Sequence, residues 1–181
     1  IAVNSDSSLV ATGHWRSGGA GDVALWDPET LTQLASVTTA HDRVIEQLFF
    51  SPELPGVPSR YLVTGACRAT GGSCEAKVWE PSVLLAQGNQ DRSAPLTTTG
   101  NDANRESFAR AFTPDGTKFI VSLKSGGLRI FEAASGALAM ETEQGGGGAG
   151  TSLAFNAAAD RLVSVSDISP KHMKAFAWEP L

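Results

Sequence analysis

Four copies of one short pattern recur along this 181-residue chain, and they constrain its fold more than any other feature. Each copy is an alternating apolar run that ends in an aromatic residue followed by an acid. The four aromatic residues are Trp26, Trp79, Phe131 and Trp178, and neighbouring copies lie 47 to 53 residues apart. A nearly constant spacing of this length indicates an internal repeat.

Two further apolar runs precede each aromatic ending, and they have the period-two alternation of β-strands. In the third repeat the three runs are 109–112, 119–123 and 128–131. The first two are separated by Pro114-Asp115-Gly116, which is strong turn chemistry because proline presets φ and glycine accepts a positive φ. The chain is therefore predicted to be all-β, with repeated short antiparallel strands.

The order of an aromatic-x-Pro-Asp-Gly turn, a hydroxyl-bearing strand and a Trp-Asp-like ending resembles the blades of WD-repeat proteins. This resemblance covers nearly the whole chain and implies a β-propeller of WD-repeat type, with blades over about 1–40, 41–100, 101–144 and 145–181. Propeller rings have about four to eight blades, and the fourth repeat lacks an outer strand. We therefore expect a larger ring, completed by further blades of the same or a partner chain. A complete four-bladed ring, or a half ring closed by a partner chain, is the alternative.

The chain also departs from that family. WD repeats usually carry a histidine before the first strand and an aspartate ahead of the third, which bond with a strand hydroxyl and the tryptophan. Only His41 resembles the histidine, and Ser73 and Ser125 stand where the aspartate is expected. We therefore expect apolar packing, rather than this polar network, to hold the blades together. The outer strand of the second blade is hard to place, and 96–98 is the candidate.

Charge and composition exclude several functions. The formal net charge is −5, whereas a sequence-independent grip on nucleic acid needs a clustered basic face. No apolar run approaches the roughly 20 residues that span a bilayer, so we expect neither a nucleic-acid nor a membrane partner. Cys67 and Cys74 are too few for a disulfide framework or a four-ligand zinc site. They are expected to be reduced loop thiols, with a local disulfide as the alternative.

No catalytic, metal or cofactor site is predicted. His14, His41 and His172 are expected in loops of three different blades, without a paired ligand spacing. The glycine run 145–148 is not followed by Lys-Ser or Lys-Thr, so a phosphate loop is not supported. A hydrolase-like propeller, in which distant groups meet along a central channel, is the less favoured alternative.

Long loops mark the candidate binding surface. The turn between the second and third strands is extended in three repeats, and equivalent turns emerge on one face of a propeller, where function usually lies. An exposed tryptophan beside an arginine is a plausible anchor for a protein partner. The alternative is that the tryptophan folds back onto its own loop. The predicted rim residues are Trp15, Arg16, Arg68, Lys171, His172 and Lys174.

A closer similarity is carried by 9–13, 23–27 and 162–178, which look like blades of the echinoderm microtubule-associated-protein-like family and of ciliary WD-repeat proteins. This resemblance implies tubulin or axonemal partners and a cytoplasmic location on the cytoskeleton or in the cilium axoneme. We therefore expect a non-enzymatic protein-interaction scaffold. The alternative is an adaptor or regulatory subunit that binds a peptide within a soluble complex.

Overall fold

The described part of the protein is mostly β-strand, as the sequence predicts. The computed structural model describes residues 1–53, 59–67, 74–91, 95, 97–98, 106–123, 127–142, 150–156, 160–166 and 172–177. Within these ranges the strands form four sheets, and one short helix, α1 (Pro81–Gln87), follows the second of them. No helix in the described part of the chain is long and apolar enough to cross a membrane.

The strands follow the chain in hairpins. The first sheet contains β1 (Ala2–Val3), β2 (Val10–Trp15), β3 (Gly21–Trp26) and β4 (Gln33–His41), and the second contains β5 (Ile45–Phe50), β6 (Leu62–Cys67) and β7 (Cys74–Trp79). The strands β8 (Asn89–Asp91) and β9 (Thr97–Thr98) come next. The third sheet contains β10 (Glu106–Phe112), β11 (Lys118–Leu123), β12 (Leu128–Glu132) and β13 (Leu138–Glu141). The fourth contains β14 (Gly150–Phe155), β15 (Arg161–Ser166) and β16 (His172–Ala177).

The segment after β7 contains one short helix and two short strands, whereas the sequence predicts a single strand there. Strand β9 pairs with β7, so a strand lies at 97–98, within the predicted 96–98; Leu96 is outside the described residues. Strand β8 instead joins the first sheet, parallel to the outer strand β4. The Asn89 side-chain oxygen accepts hydrogen bonds from Gln33 and Ser36 there, at 3.1 and 3.0 Å. The second repeat thus contributes an outermost strand to the first sheet.

The Pro114-Asp115-Gly116 turn between β10 and β11 is formed as predicted. Gly116 has a φ of 67°, and its amide donates to the Thr113 carbonyl at 2.8 Å. The Asp115 carboxylate accepts hydrogen bonds from both the amide and the hydroxyl of Thr117. This local chemistry fixes the register of the third sheet.

Consecutive sheets pack face to face, because alternate residues of each strand point to opposite neighbours. On β6, Leu62 belongs to the core shared with the first sheet, whereas Val63 belongs to the core shared with the third. On β11, Phe119 faces the second sheet, whereas Ile120 faces the fourth. The four sheets are therefore stacked in chain order. Among the described residues, no core cluster joins the first sheet to the fourth.

Candidate functional site

Trp15 lies at the end of a strand rather than in the loop where the sequence placed it. Strand β2 continues through Trp15, which pairs with Gly21 at the start of β3. The side chain is 64% exposed, so it does not fold back into a buried plug. An exposed tryptophan on a paired strand is a rigid apolar group available to a partner.

Arg16 is fixed beside this tryptophan. Its Nε lies 3.2 Å from Asp22 Oδ2, while its side chain stays 52% exposed. The turn that follows is closed by a hydrogen bond from the Arg16 amide to the Ala20 carbonyl at 2.9 Å. Asp22 is held in turn because it accepts a hydrogen bond from the Thr39 amide at 2.8 Å. Trp15 and Arg16 together are called the hairpin-end surface below.

Two glycines bring this hairpin close to the second sheet. A Cβ added at Gly21 would lie 2.5 Å from the Arg43 carbonyl oxygen, and one at Gly13 would lie 2.8 Å from the Ile45 side chain. Real Cβ atoms do not approach so closely. The absence of side chains at these two positions therefore allows β5 to pack directly across β2.

The other predicted rim residues are not brought to this surface by any described contact. Arg68 and Lys171 lie outside the described residues. His172 and Lys174 are on β16, where they pair with Ser166 and Ser164, and only their backbone is described. The prediction that His172 lies in a loop is therefore wrong, since it is the first residue of a strand.

A buried polar network joins the first two sheets. His41, at the end of β4, is fully buried, and its Nδ1 lies 2.7 Å from Glu75 Oε1. Its Nε2 lies 2.6 Å from Thr64 Oγ1, which also accepts a hydrogen bond from Trp79 Nε1 at 2.9 Å. These four residues, His41, Thr64, Glu75 and Trp79, are called the His41 joint below.

The His41 joint corrects two expectations for the second repeat. The network predicted to be missing is present, because an acid stands four residues before Trp79, on β7, and not six residues before it at Ser73. His41 lies in a strand rather than a loop. The sequence signal was available, since Asp22 stands four residues before Trp26 in the same way.

Charge balance keeps Glu75 ionised within the joint. Burial raises the pKa of Glu75, but the hydrogen bond from His41 and the charges of His41, Lys77 and Arg43 lower it by more, so its net pKa is lowered. Lys77 Nζ lies 3.7 Å from Glu75 Oε1 and donates to the Ala40 carbonyl at 2.7 Å. The β4–β5 and β6–β7 segments are thereby tied together.

The connectivity Thr64–His41–Glu75 resembles a hydroxyl–base–acid triad. However, Thr64 and His41 are both 0% exposed, and the threonine oxygen is already engaged by the Trp79 indole. A substrate has no access to this hydroxyl in the observed arrangement. We therefore interpret the joint as structural.

At the positions equivalent to Thr64 and Trp79, the first and third sheets carry different residues and make different contacts. In the first, Trp26 Nε1 donates to Thr12 Oγ1 at 2.7 Å, and His14 of the same strand contacts that oxygen at 2.7 Å. His14 is therefore also in a strand, contrary to the loop prediction. In the third, the hydroxyl position is Val121, and Phe131 stacks on Phe119 with ring centroids 5.3 Å apart. Apolar packing is confirmed there.

The two cysteines are not loop thiols. Cys67 and Cys74 are directly paired residues at the ends of β6 and β7. Cys74 is buried and disulfide-bonded, and Cys67 is the only other cysteine of the chain. The local disulfide, which the sequence left as the alternative, is therefore the one observed.

No other chemistry is assembled in the part of the chain that the structure describes. Within it, no group of three or more His, Cys, Asp or Glu residues could hold a metal ion. In comparisons with known proteins, no protein-family model matches the chain, and no curated protein matches it significantly.

Proposed function

We propose that the chain is part of a WD-repeat β-propeller that acts as a non-enzymatic scaffold and binds a protein partner at the hairpin-end surface. The observation that carries this proposal is the exposed Trp15 beside the ion-paired Arg16. Tryptophan and arginine are the residue types most enriched among binding hot spots. The β2–β3 hairpin holds the backbone of both residues, so little backbone freedom is lost on binding.

The stacking of the sheets supports the propeller. The second and third sheets each share one face with the sheet before them and the other face with the sheet after them, as blades of a propeller do. The His41 joint also fits a series of blades. The outer strand of the first sheet supplies His41, which contacts the Thr64 hydroxyl group of the second sheet. That hydroxyl group in turn accepts a hydrogen bond from Trp79 of the second sheet.

The outer face of the first sheet, which points away from the second sheet, is an argument for further blades. It presents Thr12 and Trp26, whose counterparts Thr64 and Trp79 are buried by a preceding sheet. Val3, on the same face, is exposed. We propose that another sheet of the same kind, from the same polypeptide or a partner chain, covers this face.

The partner class has two candidates. The resemblance to microtubule-associated and ciliary WD-repeat proteins supports tubulin or an axonemal protein, in the cytoplasm. The disulfide at Cys74 supports instead a soluble complex in an oxidising compartment, because disulfides are rare in the cytosol. Co-sedimentation with purified microtubules separates these two candidates.

The experiment compares the intact protein with the double variant Trp15→Ala/Arg16→Ala, in microtubule co-sedimentation and in capture from cell extract. Truncating a hot-spot residue costs about 2 kcal/mol or more, so binding should weaken by at least about 30-fold. The matched control is Leu31→Ala/Arg60→Ala, which removes an apolar side chain that is 78% exposed and an arginine that is 66% exposed and ion-paired to Glu80. Equal binding by both double variants would refute the assignment of the surface.

A further inference from the structure

The disulfide occupies a specific place in the repeat. In the first sheet, the pair that closes the β2–β3 hairpin is Trp15 and Gly21, directly before Asp22. In the second sheet the equivalent pair is Cys67 and Cys74, directly before Glu75. The position that presents a binding residue in one sheet thus holds a covalent link in the next.

The link lies one residue from the His41 joint. Cys74 is buried and bonded, and its neighbour Glu75 pairs with Ala66 across the hairpin. Glu75 also receives the hydrogen bond from His41 at 2.7 Å. A bond that holds the β6–β7 strand ends together therefore restricts the backbone that positions this carboxylate.

We propose that the Cys67–Cys74 disulfide is a redox-sensitive clasp for the His41 joint, so that the junction between the first two sheets is set under oxidising conditions and loosened under reducing ones. The clasp closes when the two thiols transfer two electrons to a small donor disulfide such as oxidised glutathione. One protein S–S bond forms, the donor S–S bond breaks, and the two protons are taken up by the two released thiolates.

The clasp concerns folding of the joint and does not depend on the hairpin-end surface. It does deepen the proposed function, because a partner that meets the closed form would share an oxidising compartment with the chain. Partner capture and joint protection are separate measurements, so failure of one proposal is distinguishable from failure of the other.

The test measures amide hydrogen exchange of the protein refolded with oxidised glutathione, before and after reduction with a thiol reductant. We expect reduction to speed exchange in β6 and β7 about tenfold or more, while β11 and β12 of the third sheet stay protected. The variant Cys67→Ser/Cys74→Ser should exchange like the reduced protein and should not respond to reductant.

Three outcomes would overturn the clasp. The first is alkylation of both cysteines in the refolded protein before any reductant is added. The second is unchanged exchange in β6 and β7 after reduction. The third is equal loss of protection in the third sheet, which would show that the bond supports the whole chain and not this joint. If the serine variant does not fold, the comparison of oxidised with reduced wild-type protein still decides.

Discussion

Replacing His41 with alanine tests the joint between the first two sheets. The imidazole is fully buried and has a partner on each nitrogen. Its loss leaves Thr64 with the Trp79 indole and Glu75 with Lys77 at 3.7 Å. Each buried polar group that loses a partner costs about 1–3 kcal/mol, and Thr64 and Glu75 each lose one. We therefore expect the free energy of unfolding to fall by about 2–6 kcal/mol.

Urea denaturation, followed by tryptophan fluorescence, measures this change. The matched control is His14→Ala, since His14 contacts the threonine oxygen of the first sheet at 2.7 Å but is exposed. An exposed hydrogen bond contributes about 1 kcal/mol or less. The two histidines thus make the same kind of contact in different surroundings. If His41→Ala destabilised the protein by no more than His14→Ala, the joint would not hold the sheets together.

Three further predictions concern the same region. Because the pKa of Glu75 is lowered in the fold, its contribution to stability is present above the ordinary value of 4.5 and is lost as pH falls through the folded pKa. Acid titration of urea midpoints should therefore show a steeper loss below about pH 4.5 for wild type than for Glu75→Gln; identical profiles would contradict this. Gly21→Ala should cost about 1–3 kcal/mol by overpacking against the Arg43 carbonyl, and thermal denaturation would show no shift if that contact were wrong. Cys67→Ser/Cys74→Ser should cost about 2–3 kcal/mol by the loop-entropy estimate for a short closed loop, measured in urea under non-reducing conditions, and an unchanged midpoint would refute it.

The strands could be predicted because their signal is local. Alternating apolar residues and the Pro114-Asp115-Gly116 turn decide the backbone conformation over a few neighbouring residues. The departure of β8 to the first sheet could not be predicted, since it depends on side chains of Gln33 and Ser36 that lie more than 50 residues away in the chain.

The His41 joint was only half visible in the sequence. The sequence identifies the histidine and the tryptophan, but the family pattern predicts the acid six residues before the tryptophan, where Ser73 stands. Glu75 instead contacts the imidazole from β7, with its Oε1 2.7 Å from His41 Nδ1. The informative spacing is four residues before the tryptophan, which Asp22 and Trp26 also show in the first sheet, and a rule fixed at six residues misses it.

The equivalent hairpin ends of the first two sheets differ in exposure, and this difference decides which substitutions can test binding without altering the fold. In the second sheet the end is sealed by a disulfide and a buried histidine, so changes there alter the fold itself. In the first sheet the end presents Trp15 and Arg16 to solvent, and the core residues beneath them are supplied by other positions. Exposed substitutions away from caps and buried networks usually change stability by less than about 0.5 kcal/mol. The loss of binding expected for Trp15→Ala/Arg16→Ala would therefore report on the surface itself, whereas a change in the His41 joint would confound binding with folding.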